Sequence, residues 1–291
     1  MQQFTTIADQ RAWSRQQIRA GKRIGFVPTM GALHEGHISL VQQARAHSDV
    51  VVASVFVNPT QFDNPDDLAN YPRTLAADAK MLEGAGVDVL FTPEAREIYQ
   101  EGHCTFVEMV GPLTDKLCAA TRPGHFRGVT TVVTKLFSIV QPDVAVFGEK
   151  DLQQVLIIAR MVSDLNLPVE IVVAPTVRDA DGLAMSSRNR RLNPDMRERA
   201  LGLPRGLQLA NRAFEHGERA SLKLIEAVAN ELLVHPGVDL DYCNVVKLSG
   251  FQEVDQADDG CVLAAAVFID GVRLIDHIHL GRETFPVALD D

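Results

Sequence analysis

The sequence predicts an α/β protein: a doubly wound parallel sheet followed by a smaller carboxy-terminal α+β domain that contains an antiparallel sheet. Three observations lead there. Up to about Pro175, apolar runs without alternation take turns with stretches of helical spacing, and such runs mark strands buried on both faces. After Pro175 the alternation gives way to "DADGLAMSSRNRRLN", which is polar and loop-like. Beyond Gly237 the apolar runs are joined by turns containing Gly250, Gly260 and Gly271, as in an antiparallel layer.

The elements follow in order. "RIGFVPT" is a short strand, "ISLVQQARAH" (38–47) a helix, and "DVVVASVFVN" (49–58) a strand buried on both faces. Together they form a right-handed βαβ unit. "VDVLFTP" (87–93) is a strand, "GVTTVVTKLFSIV" a helix, "DVAVFG" (143–148) a strand, "DLQQVLIIARMVSDL" a helix and "VEIVVAP" (169–175) a strand. Helices follow around 195–215 and 221–234, then strands in "VDLDYCNVV", "CVLAAAVFID" and "VRLIDHIHL". The expected domains are residues 1–176 and 177–291, and the tail "FPVALDD" has no periodicity and reads as loose.

Composition narrows the function. With 28 basic against 38 acidic residues the net charge is −10, a balance that repels phosphate backbones and disfavours a nucleic-acid partner. Cys104, Cys118, Cys243 and Cys261 are scattered, without a C-x-x-C pair for zinc or redox exchange. The start lacks the charged-then-apolar layout of a signal peptide, and no window reaches the roughly 18 apolar residues of a membrane span. A cytoplasmic protein is the expectation.

The chemistry concentrates in "PTMGALHEGHISL" (28–40). Gly31 and Gly36 have the spacing of a P-loop, but His37 and Ile38 stand where lysine and a hydroxyl are required. What remains is a glycine-containing turn between a buried strand and a helix, with backbone N–H groups and the helix's positive end offered to an anion. His34 and His37, three apart, can face one side and donate to that anion or to a leaving group. Zinc chelation, a structural role at the turn, and a nucleotide loop without chemistry are the competing readings; no third metal ligand is evident, and H-E-G-H is not H-E-x-x-H.

Further groups fall at strand ends. "VNPTQF" supplies Asn58 and the uncharged fork of Gln61. In "FGEKDLQQ", Gly148 ends a strand, Asp151 can cap a helix, and Lys150 sits where a helix end disfavours a cation unless a phosphate is bound. "DGLAMSSRN" offers Ser186, Ser187 and Arg188, the last suited to clamping phosphate or equally to facing water. "RPGHFRGVTT", with Arg122, His125 and Arg127, reads as a mobile basic loop or the start of a helix.

Taken together, these five segments resemble the pantothenate synthetases, ATP-dependent ligases that join pantoate to β-alanine and belong with the nucleotidyltransferases and class I aminoacyl-tRNA synthetases. The resemblance implies a Rossmann-like first domain and a second domain forming a lid over the active site. It places Met30, Gly31, Ala32, Leu33, His34, Glu35, Gly36 and His37 at ATP, with His37 as proton donor and His34, Lys150 and Arg188 as its catalytic companions. Gly148, Glu149, Lys150 and Asp151 match a second nucleotide segment, Val177 and Met185 the adenine side, and Ser186, Ser187 and Arg188 a phosphate-binding loop. Gln61 and Gln154 match pantoate-holding glutamines, Gln61 also lying where β-alanine enters, and Asn58 is placed with them. Magnesium accompanying ATP, ligands unassigned, and a homodimer are implied as well; "CVLAAAVFID" could supply an apolar surface for the latter. The loop around Ser186 and the stretch 122–127 are candidates for closing over the intermediate. Leu152, where an aromatic residue is common, and "RNRRLN", without the usual tyrosine, depart from the pattern. A cytidylyltransferase of the same fold and an ATP-binding module without turnover are the alternatives.

Overall fold

The structure, a computed structural model, describes residues 1–63 and 65–282, so the tail expected to be loose lies outside the described residues. It divides into two compact units, Met1–Met109 with Arg122–Pro175, and Val110–Thr121 with Thr176–Asp291. A single boundary near 176 therefore misses the segment 110–121. Side chains hold that segment in the second unit: Thr121 donates to Asp241 (3.2 Å), Cys118 lies 3.2 Å from the Tyr242 hydroxyl, and Lys116 pairs with Glu253.

The first unit contains six strands, β1 (Gln2–Phe4), β2 (Ile24–Thr29), β3 (Val50–Val55), β4 (Val89–Phe91), β5 (Val144–Gly148) and β6 (Glu170–Ala174). All pairings are parallel and the order is β1-β4-β3-β2-β5-β6. Its helices are α1 (Ile7–Arg19), α2 (Glu35–His47), α3 (Pro65–Ala69), α4 (Leu75–Gly84), α5 (Ala95–Ile98), α7 (His125–Val140) and α8 (Leu152–Asp164). Val27, Val51, Ala53, Leu90, Val144 and Val146 pack with Val41 and Ala44 of α2 and Leu82 of α4. On β2 and β5 the intervening Phe26 and Phe147 each meet Phe137 of α7, with ring centroids 6.4 Å apart. Helices on both faces are why these strands read as unbroken apolar runs.

The winding reverses between β2 and β5, the place where a sheet of this kind opens a crevice at the carboxyl ends of its strands. The register shows why it opens. β2 pairs with β3 along its whole length to Thr29, but with β5 only at Gly25 and Phe26. The Ile24 carbonyl accepts from Asp143 of the β5 side and the Thr29 carbonyl from Phe56 of the β3 side. Backbone groups alternate between neighbours along a strand, so Pro28 falls on the β5 side. Proline has no N–H to offer the next rung, and the two strands part there.

The second unit adds α6 (Cys118–Thr121), α9 (Pro194–Ala200), α10 (Gly202–Glu215) and α11 (Ser221–Leu233) to β7 (Val238–Lys247), β8 (Gln252–Glu253), β9 (Cys261–Ile269) and β10 (Val272–His279). The sheet is antiparallel, in the order β10-β9-β7-β8. Leu203, Leu207 and Phe214 of α10 and Leu224, Val228 and Leu232 of α11 pack on Leu263, Ala265, Val267 and Ile269 of β9. Val262, Ala264 and Ala266, which point the other way, are buried as well. The "CVLAAAVFID" run is thus an interior strand consumed by the chain's own packing, and its expected service as an apolar surface for a second copy is corrected.

Candidate active site

The first unit assembles the loop 30–37 at the end of β2. Gly31 and Ala32 both have left-handed backbones (φ 84° and 52°), a conformation glycine tolerates and alanine adopts only under constraint. The constraint is a buried acid. Asp78 of α4, 1% exposed, accepts the N–H of Ala32 on one oxygen (3.0 Å) and that of Leu33 on the other (2.9 Å). Thr29 Oγ1 accepts from Gly31 N–H and donates to the Ser54 carbonyl. His34 N–H donates to Nδ1 of His37 at 3.3 Å.

The amides of Gly31 to His34 are held by the protein's own acceptors, and the Ala32 and Leu33 side chains are wholly buried, so these two residues shape the loop from inside. Among the described residues none accepts from the N–H of Glu35 or Gly36, which leaves this part of the helix's positive end to a ligand. His34 and His37 stand with ring centroids 4.1 Å apart at that end. A ring nitrogen facing an N–H must be the bare one, so neutral His37 carries its proton on Nε2.

The end of β3 supplies the second cluster. Asn58, 1% exposed, has a forced amide orientation: the Gly128 carbonyl can only accept, so it faces Nδ2 (3.1 Å), and the Thr60 N–H can only donate, so it faces Oδ1. The hydroxyls of Tyr99 and Thr60 also donate to Oδ1. Asn58 Nδ2 donates its other hydrogen to Gln61 Oε1 at 2.9 Å, which turns Gln61 Nε2 the opposite way. Gln61 therefore presents donors, and a group that binds it must be an acceptor, such as a hydroxyl oxygen or a carboxylate. In this structure Nε2 donates to the thioether of Met30 (3.2 Å), a weak acceptor that joins the cluster to the loop. Asn58 is saturated by these bonds. It orients Gln61.

Of the two readings of the stretch 122–127, the second holds: it leads into α7 and is anchored there. His125 Nδ1 lies 2.7 Å from the Gln61 carbonyl and donates to it, while Arg122 reaches the same carbonyl (3.3 Å) and pairs with Asp63. Burial, and then the Arg122 guanidinium, push the His125 imidazole down to about 4 from 6.5. Burial acts against Asp63, yet Arg122 and its own backbone amide hold its carboxyl below the ordinary range. The consequence for stability has a definite sign. Between pH 6.5 and 4 the unfolded chain takes up a proton on this histidine and the folded chain does not, so stability is complete above 6.5 and falls below it. Urea unfolding should lose about 2 kcal/mol to this group between pH 7 and 5, and His125→Gln should flatten that slope.

At the end of β5, Glu149–Asp151 forms a single 3-10 turn leading into α8. Asp151 occupies the N-cap position without a capping bond from its side chain; its carboxylate instead lies 3.9 Å from Lys150 Nζ. A Cβ built on Gly148 would lie 3.8 Å from Leu40, which sets the end of β5 against α2, the helix of His34 and His37. Gln154 is half-buried in the first turn of α8. Glu35 is exposed at the start of α2.

The second unit holds the remaining residues. Met185 N–H donates to the Val177 carbonyl (2.9 Å), and Arg178 bridges Ala184, so a tight turn brings Val177 and Met185 side by side. Arg178 fixes that turn through two bonds to the buried Asp276 (2.6 and 3.0 Å). Ser186 caps the 3-10 turn Ser187–Arg191 by accepting the N–H of Arg188; Ser187 is buried and Arg188 half-buried.

Asp78, Thr74, Thr60, Tyr99 and Gly128 are participants that sequence reasoning did not single out. Asp78 had a signal: it lies one turn before Leu82 on the buried side of α4, where a charge is out of place.

A family model described as pantoate-beta-alanine ligase matches residues 2–279. Pantothenate synthetase of Heliobacterium modesticaldum is 52% identical over 278 residues, 96% of this chain and 99% of the relative. That of Pelotomaculum thermopropionicum is 50% identical, over 95% and 98% of the two chains. Among solved structures, pantothenate synthetase from Thermus thermophilus superposes with a TM-score of 0.90 at 43% identity, covering 96% of this chain and 99% of that one. The pantoate-beta-alanine ligase of Francisella tularensis, solved with β-γ ATP and β-alanine, does so with a TM-score of 0.80 at 35% identity, over 97% and 99%. With a match that runs from β1 through β10, over a fold and site of the kind just described, this chain belongs to the pantoate-beta-alanine ligase family.

Proposed function

We propose that this chain condenses pantoate with β-alanine in an ATP-consuming reaction, by way of a pantoyl adenylate. A carboxylate oxygen of pantoate attacks the α-phosphorus and the bond to pyrophosphate breaks. The amine of β-alanine then attacks the acyl carbon, the acyl–oxygen bond breaks, AMP leaves and the nitrogen gives up a proton. The enzyme's own groups position and neutralise, since the substrate brings the nucleophile. Charge that accumulates on the α-phosphate and on departing pyrophosphate is met by the Nε2–H of His37, by His34 and Lys150, and by the Glu35 and Gly36 amides.

The observation that carries this reading is the orientation of Gln61. Its amide offers donors beside the loop of the paired histidines, which is the complement of a hydroxy acid. Gln154 joins it in holding pantoate. Gly148 to Asp151 belong to the nucleotide site in this reading, with Val177 and Met185 assigned to adenine and Ser186, Ser187 and Arg188 to the phosphates. Magnesium arrives as the counter-ion of ATP, whose phosphates supply part of its coordination, and its protein ligands are left unassigned. A cytoplasmic homodimer belongs to the same reading; among the described residues no helix is long and apolar enough to cross a membrane.

The test is pantoate-dependent exchange of labelled pyrophosphate into ATP, followed by AMP release on adding β-alanine. A cytidylyltransferase would need CTP and no amine, and an ATP-binding module would give neither signal. Gln61→Ala should raise the KM for pantoate by roughly 10–100-fold, the worth of a hydrogen bond to a charged group, and unchanged pantoate titrations would remove Gln61 from the acid site.

A further inference from the structure

We infer that Asp78 is a positioning residue of the nucleotide site, acting through the loop it holds. The inference rests on the reading that residues 30–37 receive ATP. A carboxylate withdrawn from water is costly unless donors surround it. Asp78, 1% exposed, is surrounded by donors: the N–H groups of Ala32 and Leu33, one to each oxygen, and the Thr74 hydroxyl at 3.1 and 3.2 Å. It is satisfied by two amides and a hydroxyl, and both amides belong to the loop.

Helix α4 could pack through Leu82 without an acid beside it. The acid's effect is conformational. Turning two successive amides inward requires the left-handed backbones of Gly31 and Ala32, and Ala32 incurs a steric penalty in adopting one. A Cβ built on Gly31 would lie 3.0 Å from Asp78 Oδ2 and 3.0 Å from Val55 Cγ1, so the loop is seated between the acid and β3. The next residue, His34, is the N-cap of α2. Where Ala32 and Leu33 sit therefore decides where both imidazoles and the helix-end amides of Glu35 and Gly36 lie. Without the carboxylate those two buried N–H groups have to find another acceptor, and the loop rotates to do so.

Asp78→Asn keeps the size and replaces one acceptor with a donor facing an N–H. Amide hydrogen exchange at Ala32 and Leu33 should accelerate at least about tenfold, and the KM for ATP should rise by about tenfold while that for pantoate stays within about twofold. Asp78→Glu, which retains the charge, should recover part of the ATP effect. Should Asp78→Asn not fold, Thr74→Ala removes only the hydroxyl that steadies the carboxylate and should move the KM for ATP about threefold in the same direction. A merely structural acid would lower the melting temperature and the active fraction and leave both KM values alone; that result overturns the inference, as does faster exchange with an unchanged KM for ATP. A wild type that does not respond to ATP at all would instead remove the underlying nucleotide reading, which the exchange measurement alone does not touch.

Discussion

His37→Ala is expected to lower the rate of pantoate adenylation by roughly 10²–10³-fold, the scale of losing one donor aimed at developing charge. The ring sits in the first turn of α2 with Nδ1 committed to His34 N–H, so its remaining nitrogen is the one that donates. In the ground state the phosphates of ATP already carry charge that water and magnesium share. During attack, negative charge shifts onto the bridging oxygen of the leaving pyrophosphate, and a fixed N–H there gains more than it did before. Lys150→Ala should act alike, because its ammonium, balanced here by Asp151 at 3.9 Å, is the cation offered to the phosphates at this helix start. The folded state changes much less: the His37 variant loses one cap, worth about 1 kcal/mol. Single-turnover release of pyrophosphate measures the step, and equal bursts from wild type and variant would clear His37 of any part in it.

Gly128→Ala destabilises the protein by about 1–3 kcal/mol, the range for overfilling a packed site. In an ordinary helix the same change is favourable by about 0.5–1 kcal/mol, so the sign itself is informative. A Cβ at Gly128 would lie 2.3 Å from the Thr60 carbonyl oxygen, 2.6 Å from its carbon and 2.7 Å from the amide of Gln61. These are backbone atoms of the 3-10 turn Pro59–Gln61, and no rotamer change can clear them. The turn or α7 must move. Because the Gly128 carbonyl also fixes the Asn58 amide, the displacement reaches Gln61 as well. Urea unfolding should show the loss, and the KM for pantoate should rise while that for ATP does not. A variant more stable than wild type would contradict the close approach.

Strands β2 to β5 were legible because they are covered on both faces, so periodicity needed no help from context. Helix α1 was not. Its buried positions are Gln10 and Ser14, with Gln10 Nε2 donating to Ser14 Oγ at 3.1 Å, so the apolar stripe that betrays an amphipathic helix is missing. Strand β1, three residues with an exposed start, is too short for a pattern. The expected start of α2 at residue 38 fell late for a related reason: histidine is not a customary cap, and the bond from His34 N–H to His37 Nδ1 that secures this helix start lies in what reads as polar loop. In the site, residue types and spacing pointed to the right segments but not to how each was held. Which amides the loop keeps for itself depends on Asp78, 46 residues from Ala32, and local sequence carries no trace of a partner so distant. The role of Asn58 was hidden likewise, since its orientation is set by Gly128, 70 residues away.

Sheets tend to zip shut, because each added rung is favourable for two chains already aligned. At Pro28 an imino acid withholds the one hydrogen that would continue the seam between β2 and β5. The parting of the two strands is thereby written into covalent structure, and it is there before any substrate arrives. Binding there does not first have to prise strands apart.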